Sequence, residues 1–295
     1  MAEYIGSIGK GRWPRISLVT PVKNGVEYIE GAIRSMICQG YPNLEYIIVD
    51  GGSTDGTVDI IRKYGRNLAW WVSEPDNGLY DALNKGFARS SGEIMGWLSA
   101  TDMLHVGSLF VVASVFMRFP EVEWITGIPT HFNEWGMTVG VGRLPRWSRA
   151  RFLIGANRYI QQESTFWRRS LWERAGGRLD ASLMMAGDFE LWVRFFRHAQ
   201  LYSVNALIGG FRVHRSSLGL ANINECHRIH DQIIRQEIQS LRMRRIVFML
   251  YNLSKFLLGL PLLGRFFRAV LYRLPGPDWP PIITYDYERG WVMVH

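Results

Sequence analysis

The sequence predicts an α/β protein with a mainly parallel sheet covered by helices. Short apolar runs alternate with amphipathic helical stretches through the first hundred residues, the pattern of successive βαβ units. Each run stops at a loop sequence, so the loops after Val19, Val49, Val72 and Leu98 fall on one sheet edge. Ligands of such sheets sit past the carboxyl ends of the strands. With 295 residues, 47% hydrophobic and 13% aromatic, the chain has enough apolar surface for a core, which excludes global disorder.

The elements follow in order. Ile16 to Val19 reads as a buried strand ending at Thr20-Pro21. Over 25–37, Val26, Ile29, Ile33, Met36 and Ile37 share a helical face. Leu44 to Val49 is a second strand, stopping at Asp50-Gly51-Gly52. Ser53-Thr54-Asp55 resembles a helix start ahead of Val58, Ile60 and Ile61. Leu68 to Val72 is a third strand, and Leu79, Ala82, Leu83 and Phe87 form the next stripe. Ile94 to Leu98 is a fourth strand, delivering the chain to Ser99-Ala100-Thr101-Asp102. Beyond it, 124–127 adds a strand and 130–160 reads as a long loop rich in Gly, Arg and Trp. A helix begins just after Gly187-Asp188, with Phe189, Trp192, Val193 and Phe196 on one face, and 223–245 is another helix. This divides the chain into a larger domain, 1–222, alternating over 14–102 and more irregular over 103–222, and a C-terminal helical appendage with an aromatic tail, 223–295.

Charge is placed unevenly. Residues 228–273 hold nine Lys/Arg against Asp231 and Glu237, a net +7 in a chain of +8. Cys38 and Cys226 make neither a metal spacing nor a disulfide framework, which points to a reducing compartment. Lys10, Arg12 and Arg15 precede no apolar stretch before Pro14, so a secretory signal is not expected and the cytoplasm is.

The stretches ISLVTPVKNGVEYI, YPNLEYIIVDGGSTDGTVDII, SEPDNGLYDALNKG and SGEIMGWLSATD resemble, in order and spacing, successive motifs of family 2 glycosyltransferases with the GT-A fold. The resemblance spans residues 14–217. It implies a GT-A, Rossmann-like sheet and transfer of a sugar from a nucleotide-sugar donor. It also implies that Asp50 holds base and ribose, that Thr20, Pro21 and Asn24 line the nucleotide pocket, and that Asp76 meets the donor. Lys85, four residues after Asp81, is read either as a donor contact or as an ordinary helix pair.

The family's acidic Asp-X-Asp element falls on Ser99-Ala100-Thr101-Asp102. Asp102 matches the final acid, while Thr101 stands where an acid is usual, and a hydroxyl is a poor ligand for Mg²⁺ or Mn²⁺. Either Asp102 takes over the divalent metal, or the metal is held weakly, or the enzyme works without it. Asp188 in MAGDFELW matches the general base of an inverting enzyme. His214 in GGFRVHRSS resembles a late element that reaches metal or diphosphate, which gives Asp102 and His214 as metal ligands and Arg212 as a phosphate partner. Gln162 and Glu163 match the region that meets the acceptor. Trp167 and Trp192 read as core or wall aromatics.

Residues 246–264 carry Lys255 as their one charge, yet Asn252, Pro261 and the flanking arginines argue against a membrane span. A basic segment lying on an anionic membrane surface fits, and so does a helical pair packed on the domain. The sequence-based expectation is therefore an inverting glycosyltransferase using a UDP-sugar. Its acceptor is a lipid-linked or surface-glycan precursor, and it works on the inner membrane face through 228–273. The alternative is a non-catalytic nucleotide-sugar-binding subunit of a membrane assembly. No nucleic-acid motif accompanies the charge, and the loop Thr20 to Asn24 lacks the Gly/Lys-rich pattern of a nucleotidyltransferase.

Overall fold

A computed structural model describes residues 13–154, 159–214, 223–240 and 279–295, with a few positions between 245 and 256. The central sheet has the order β10-β6-β9-β4-β1-β2-β3. Its strands are β1 (Ile16–Val22), β2 (Leu44–Asp50), β3 (Trp70–Ser73), β4 (Ile94–Trp97), β6 (Trp124–Thr126), β9 (Thr165–Arg168) and β10 (Leu201–Ser203). All neighbours run parallel except at β9, which is antiparallel to both β4 and β6. The interior strand β1 is buried along its whole length, which is why it reads as an unbroken apolar run rather than an alternation.

A second sheet, β5-β11-β7-β8, stands beside the carboxyl end of β4. It comprises β5 (Met103–Leu104), β7 (Thr130–Phe132), β8 (Thr138–Val141) and β11 (Gly209–Arg212). The stretch 130–160 is therefore not one long loop. It supplies β7, β8 and the short helix Arg149–Leu153, the last capped by Ser148, whose hydroxyl accepts the Arg151 N–H. The alternation was hard to read because β8 is an exposed edge with small and apolar residues on both faces.

Two cores sandwich the main sheet. Under one face, Trp97, Trp124, Trp167 and Trp192 pack with the helices Leu79–Arg89 and Gly187–His198. Trp97 and Trp192 stack with ring centroids 5.8 Å apart, and Trp167 meets Trp192 edge-on at the same distance. The other face carries the helices Ile29–Ile37 and Ser108–Arg118.

The C-terminal residues are not one appendage. Helix Ile223–Ser240 packs Ile234 and Ile238 into the tryptophan core. The tail forms a hairpin, β12 (Ile282–Asp286) and β13 (Gly290–Val294), which buries Ile283 and Trp291 in the opposite core. The Asn205 N–H donates to the Ile283 carbonyl at 2.8 Å, tying the hairpin to the end of β10. Both segments thus extend cores begun by the preceding chain. Among the described residues no helix is long and apolar enough to cross a membrane. Most of 246–264 lies outside the described residues, but within it Tyr251 is buried in the tryptophan core, its hydroxyl donating to Asp231 at 2.6 Å, and Lys255 pairs with Asp231, so this part packs on the helix Ile223–Ser240.

The two sheets are held close at Gly209, where an added Cβ would be driven into the backbone carbonyl of Glu163. Backbone cannot swing aside as a side-chain tip can. Gly209→Ala is expected to lower stability by about 1–3 kcal/mol, the usual cost of overpacking, measured by urea unfolding followed through tryptophan fluorescence.

Candidate active site

The site lies beyond the carboxyl ends of β1, β2 and β4, where three loops meet. Asp50 closes β2 and is fully buried. Its carboxylate accepts the N–H groups of Gly52 (3.1 Å) and Ser53 (2.9 Å), the Ser73 hydroxyl (2.7 Å) and the Ser53 hydroxyl. Four donors use the acceptor positions of a carboxylate, so Asp50 shapes the loop Gly51-Gly52-Ser53 and joins it to β3. Asp76 comes to the same place: a Cβ on Gly51 would lie 2.5 Å from Asp76 Oδ2. Glycine at 51 is what lets the two acidic loops touch. Asp76 also accepts the Gly78 N–H, 2.9 Å, ahead of the helix Leu79–Arg89.

The first loop is fastened to the second. Asn24 adopts a left-handed φ of 51°, accepts the Thr54 N–H at 2.9 Å and donates its own N–H to Ser53 Oγ at 2.7 Å. Thr57 Oγ1 and Asp55 Oδ2 accept the next two backbone N–H groups, those of Gly25 and Val26. Thr20 and Pro21 do not sit after the first strand. They lie inside β1, and the Thr20 hydroxyl faces Tyr46 Oη at 3.1 Å in the interior, because β1 runs on to pair with β2 as far as Asp50. Lys85 is held by Glu74 (3.0 Å), Asp81 (3.6 Å) and the Pro75 carbonyl (3.2 Å). This favours the surface-pair reading, and the pairing braces the loop that carries Asp76.

Asp102 is only 1% exposed. Its Oδ1 accepts the Arg212 backbone N–H at 2.9 Å, and the carboxyl also bonds with Ser99 and Glu163. Burial pushes Asp102 up to about 7 against the lowering effect of those donors. Glu163, also buried, is raised well above the ordinary carboxylate range, first by burial and then by the charge of Asp102; Asp188 adds to it. Gln162 donates to the Trp97 carbonyl at 2.5 Å, fixing the end of β4. Both acceptor-region residues thus turn inward to support the loop of Asp102.

Asp188 stands in the first turn of the helix Gly187–His198. The residue before that helix, Ala186, has φ 65°, a left-handed conformation that costs a non-glycine residue of order 1 kcal/mol. Gly187 must be glycine because a Cβ would meet the Tyr80 ring at 2.7 Å. Tyr80 Oη reaches Asp188 Oδ1 at 3.5 Å. Burial raises the Asp188 carboxyl above its usual range, opposed by the Phe189 N–H, its own N–H and Tyr80.

The Arg212 guanidinium turns away from Asp102, lying 5.0 Å from the centroid of the Tyr28 ring and close against Gly31. His214 also packs on Tyr28, ring centroids 4.9 Å apart. Burial and the Arg212 charge lower its pKa, with Glu27 and Glu134 opposing. Tyr28 and Tyr80 organise the two ends of the site, and neither was singled out by sequence. Tyr80 lies within the SEPDNGLYDALNKG block, which is the available signal; Tyr28 precedes the helix Ile29–Ile37 with no local pattern to mark it.

The expected metal pair is not assembled. Asp102 spends its oxygens on protein donors, Thr101 adds a hydroxyl, and His214 faces Tyr28. Among the described residues no group of three His, Cys, Asp or Glu side chains is arranged to hold a metal ion. In this arrangement the donor set does not fit Mg²⁺ or Mn²⁺, hard cations that need several open oxygen ligands.

A mainly parallel sheet of this order, with acidic loops at its carboxyl edge, defines a GT-A glycosyltransferase. The chain belongs to glycosyl transferase family 2, whose model matches residues 17–207. Among its relatives is the uncharacterized glycosyltransferase RP339 of Rickettsia prowazekii, 26% identical over 74% of this chain and 70% of that protein. The putative teichuronic acid biosynthesis glycosyltransferase TuaG of Bacillus subtilis is 36% identical over 30% of this chain and 36% of its own. S. aureus TarS 1–349, solved in complex with UDP-GlcNAc, superposes with TM-score 0.63 at 17% identity, covering 80% of this chain and 70% of that one. The mannosyltransferase PcManGT of Pyrobaculum calidifontis, solved with GDP-Man and Mn²⁺, superposes with TM-score 0.56 at 18% identity over 92% and 87% of the two chains.

The buried pair sets a pH dependence. Asp102 holds its proton to about pH 7 when folded, against about 3.9 when unfolded. The folded state therefore binds the extra proton. The associated stability is complete at low pH and lost as pH rises through about 7. The thermal midpoint is expected to fall between about pH 4 and 7, and Glu163→Gln, which removes one of the two competing carboxyls, should flatten that fall. Scanning fluorimetry across pH measures both.

Proposed function

We propose that this family 2 glycosyltransferase moves a sugar from a nucleotide-sugar donor, preferentially a UDP-sugar, to an acceptor hydroxyl with inversion at the anomeric carbon. Asp188 is the general base. The observation that carries the reading is the setting of Asp188 at a helix start beside the nucleotide loops, enclosed enough for burial to raise its pKa. The acceptor hydroxyl loses its proton to Asp188 as its oxygen attacks from the face opposite the nucleotide. Tyr80 and the helix N-terminus orient the carboxylate and steady its charge.

On the donor side, the loop of Gly51 to Ser53, ordered by Asp50 and apposed to Asp76, takes the nucleoside. His214, with the Arg212 cation behind Tyr28, borders the diphosphate; Arg212 acts through its field because its guanidinium is buried. The acceptor is a lipid-linked or surface-glycan precursor, and the basic stretch 228–273 brings the enzyme to an anionic membrane face. Support for donor and acceptor comes from the fold shared with TarS, solved with UDP-GlcNAc, and from the relative described as a teichuronic acid biosynthesis enzyme.

Asp188→Asn is expected to lower kcat by ~10²–10⁴-fold, the usual worth of a general base, with the KM for donor little changed. Steady-state transfer assays read the split, and full activity in the variant removes Asp188 as base. In the parent enzyme the acid limb of the kcat profile should lie above the ordinary carboxylate range, because activity needs Asp188 deprotonated and its pKa is raised.

A thermal-shift screen of nucleotides and nucleotide sugars with Mg²⁺, Mn²⁺ or EDTA tests the donor. Uridine nucleotides should stabilise the protein, and equally well in EDTA. Stabilisation only in the presence of metal would mean that Asp102 gives up its protein partners to a cation.

A further inference from the structure

The free edge of the second sheet is apolar where edges are usually protected. β8 is its last strand. Trp135, Met137, Val139 and Val141, on alternate positions through the turn and strand, are 81%, 56%, 61% and 60% exposed. Protein edges are ordinarily blunted by charge or proline, and residues 135–142 contain neither. An exposed apolar row of this kind marks a contact surface.

What surrounds the row identifies the partner. From Trp135 to Gln162 the sequence has no Asp or Glu, but it has Arg143, Arg146, Arg149, Arg151 and Arg158. Arg149 is paired with Glu237 at 3.1 Å. Arg143 is exposed, and Arg146 and Arg151 flank Trp279 at 5.5 and 4.1 Å from its ring centroid. Trp279 is where the chain returns after the basic stretch 241–278. That stretch departs from the helix Ile223–Ser240, whose Glu237 also meets Arg149. Both residues that bound the basic segment therefore meet arginines of the stretch that follows β8 in the chain. Pairing two copies edge to edge would bring like-charged arginine stretches together, which disfavours a self-partner.

We propose that the β8 edge, with Arg143, Arg146 and Arg151, is a docking face for an anionic lipid bilayer. The apolar side chains enter the headgroup boundary and the arginines meet lipid phosphates. The consequence for the enzyme is positional. The turn leading into β8 reaches the site: a Cβ on Gly136 would lie 2.9 Å from Met103 Sδ and 3.9 Å from Arg212 Nη2. Docking through this edge sets the mouth of the cleft at the lipid surface, which goes beyond the attraction assigned to 228–273.

The test is flotation of the full chain with vesicles of phosphatidylglycerol mixed with phosphatidylcholine, and with phosphatidylcholine alone. The parent protein should float with the anionic vesicles. Trp135→Ser combined with Val139→Asp should weaken that partition ~tenfold or more, and Arg143→Glu should weaken it too, while both variants keep the nucleotide thermal shift that reports a folded site. Parent-like flotation of the edge variant overturns the proposal. So does loss of flotation confined to Arg242→Glu/Arg244→Glu/Arg245→Glu, which leaves the basic-segment reading standing. A dimer of the parent that Val139→Asp breaks, with flotation intact, assigns the edge to a second copy instead. Failure of the parent to float, with nucleotide binding intact, rejects the membrane face and leaves the transferase reading untouched.

Discussion

The hydrogen bond from the Arg212 N–H to the Asp102 carboxylate is the constraint on which the site depends. Asp102 ends the loop after β4, in the main sheet, and Arg212 ends β11, in the second sheet. One buried carboxylate therefore fixes the angle between the two sheets at the cleft. Because it is 1% exposed, water does not compete for its oxygens, and an unmade bond there would cost more than a made one gains. Glu163 and Ser99 complete its surroundings, and Gly209 keeps the two backbones close enough for them to meet.

The same burial explains the electrostatics. Asp102, Glu163 and Asp188 each have raised pKa values with burial as the leading cause, and the charges of Asp102 and Asp188 both act on Glu163. Three acids that share a poorly solvated volume cannot all ionise cheaply. Asp188 is the most exposed of the three, as the proposed general base requires. Asp102, enclosed by donors, has become a structural anchor.

Much of the fold was readable along the chain. All seven strands and helices expected up to Leu98 are present, with boundaries shifted by a few residues, because a doubly covered parallel sheet writes itself as apolar runs between amphipathic helices. The helix after Asp188 was readable for the same reason. β7 and β8 were not, since an edge strand in a small sheet has no continuous burial to impose a pattern. The tail hairpin was missed because Ile283 and Trp291 are buried against residues far away in sequence.

The site divides in the same way. The sequence by itself determined the acidic loops at the sheet edge, the location of Asp188 at a helix start and the family, since these are local patterns of strand, turn and cap. Tertiary structure alone decided what those acids do. It engaged Asp50 with four donors, turned Thr20 into the interior, enclosed Asp102 and set His214 against Tyr28. It also left an apolar edge beside a line of arginines. The reason is physical: a residue's type fixes which bonds it is able to make, whereas burial and the neighbours brought in by folding fix which of them it does make.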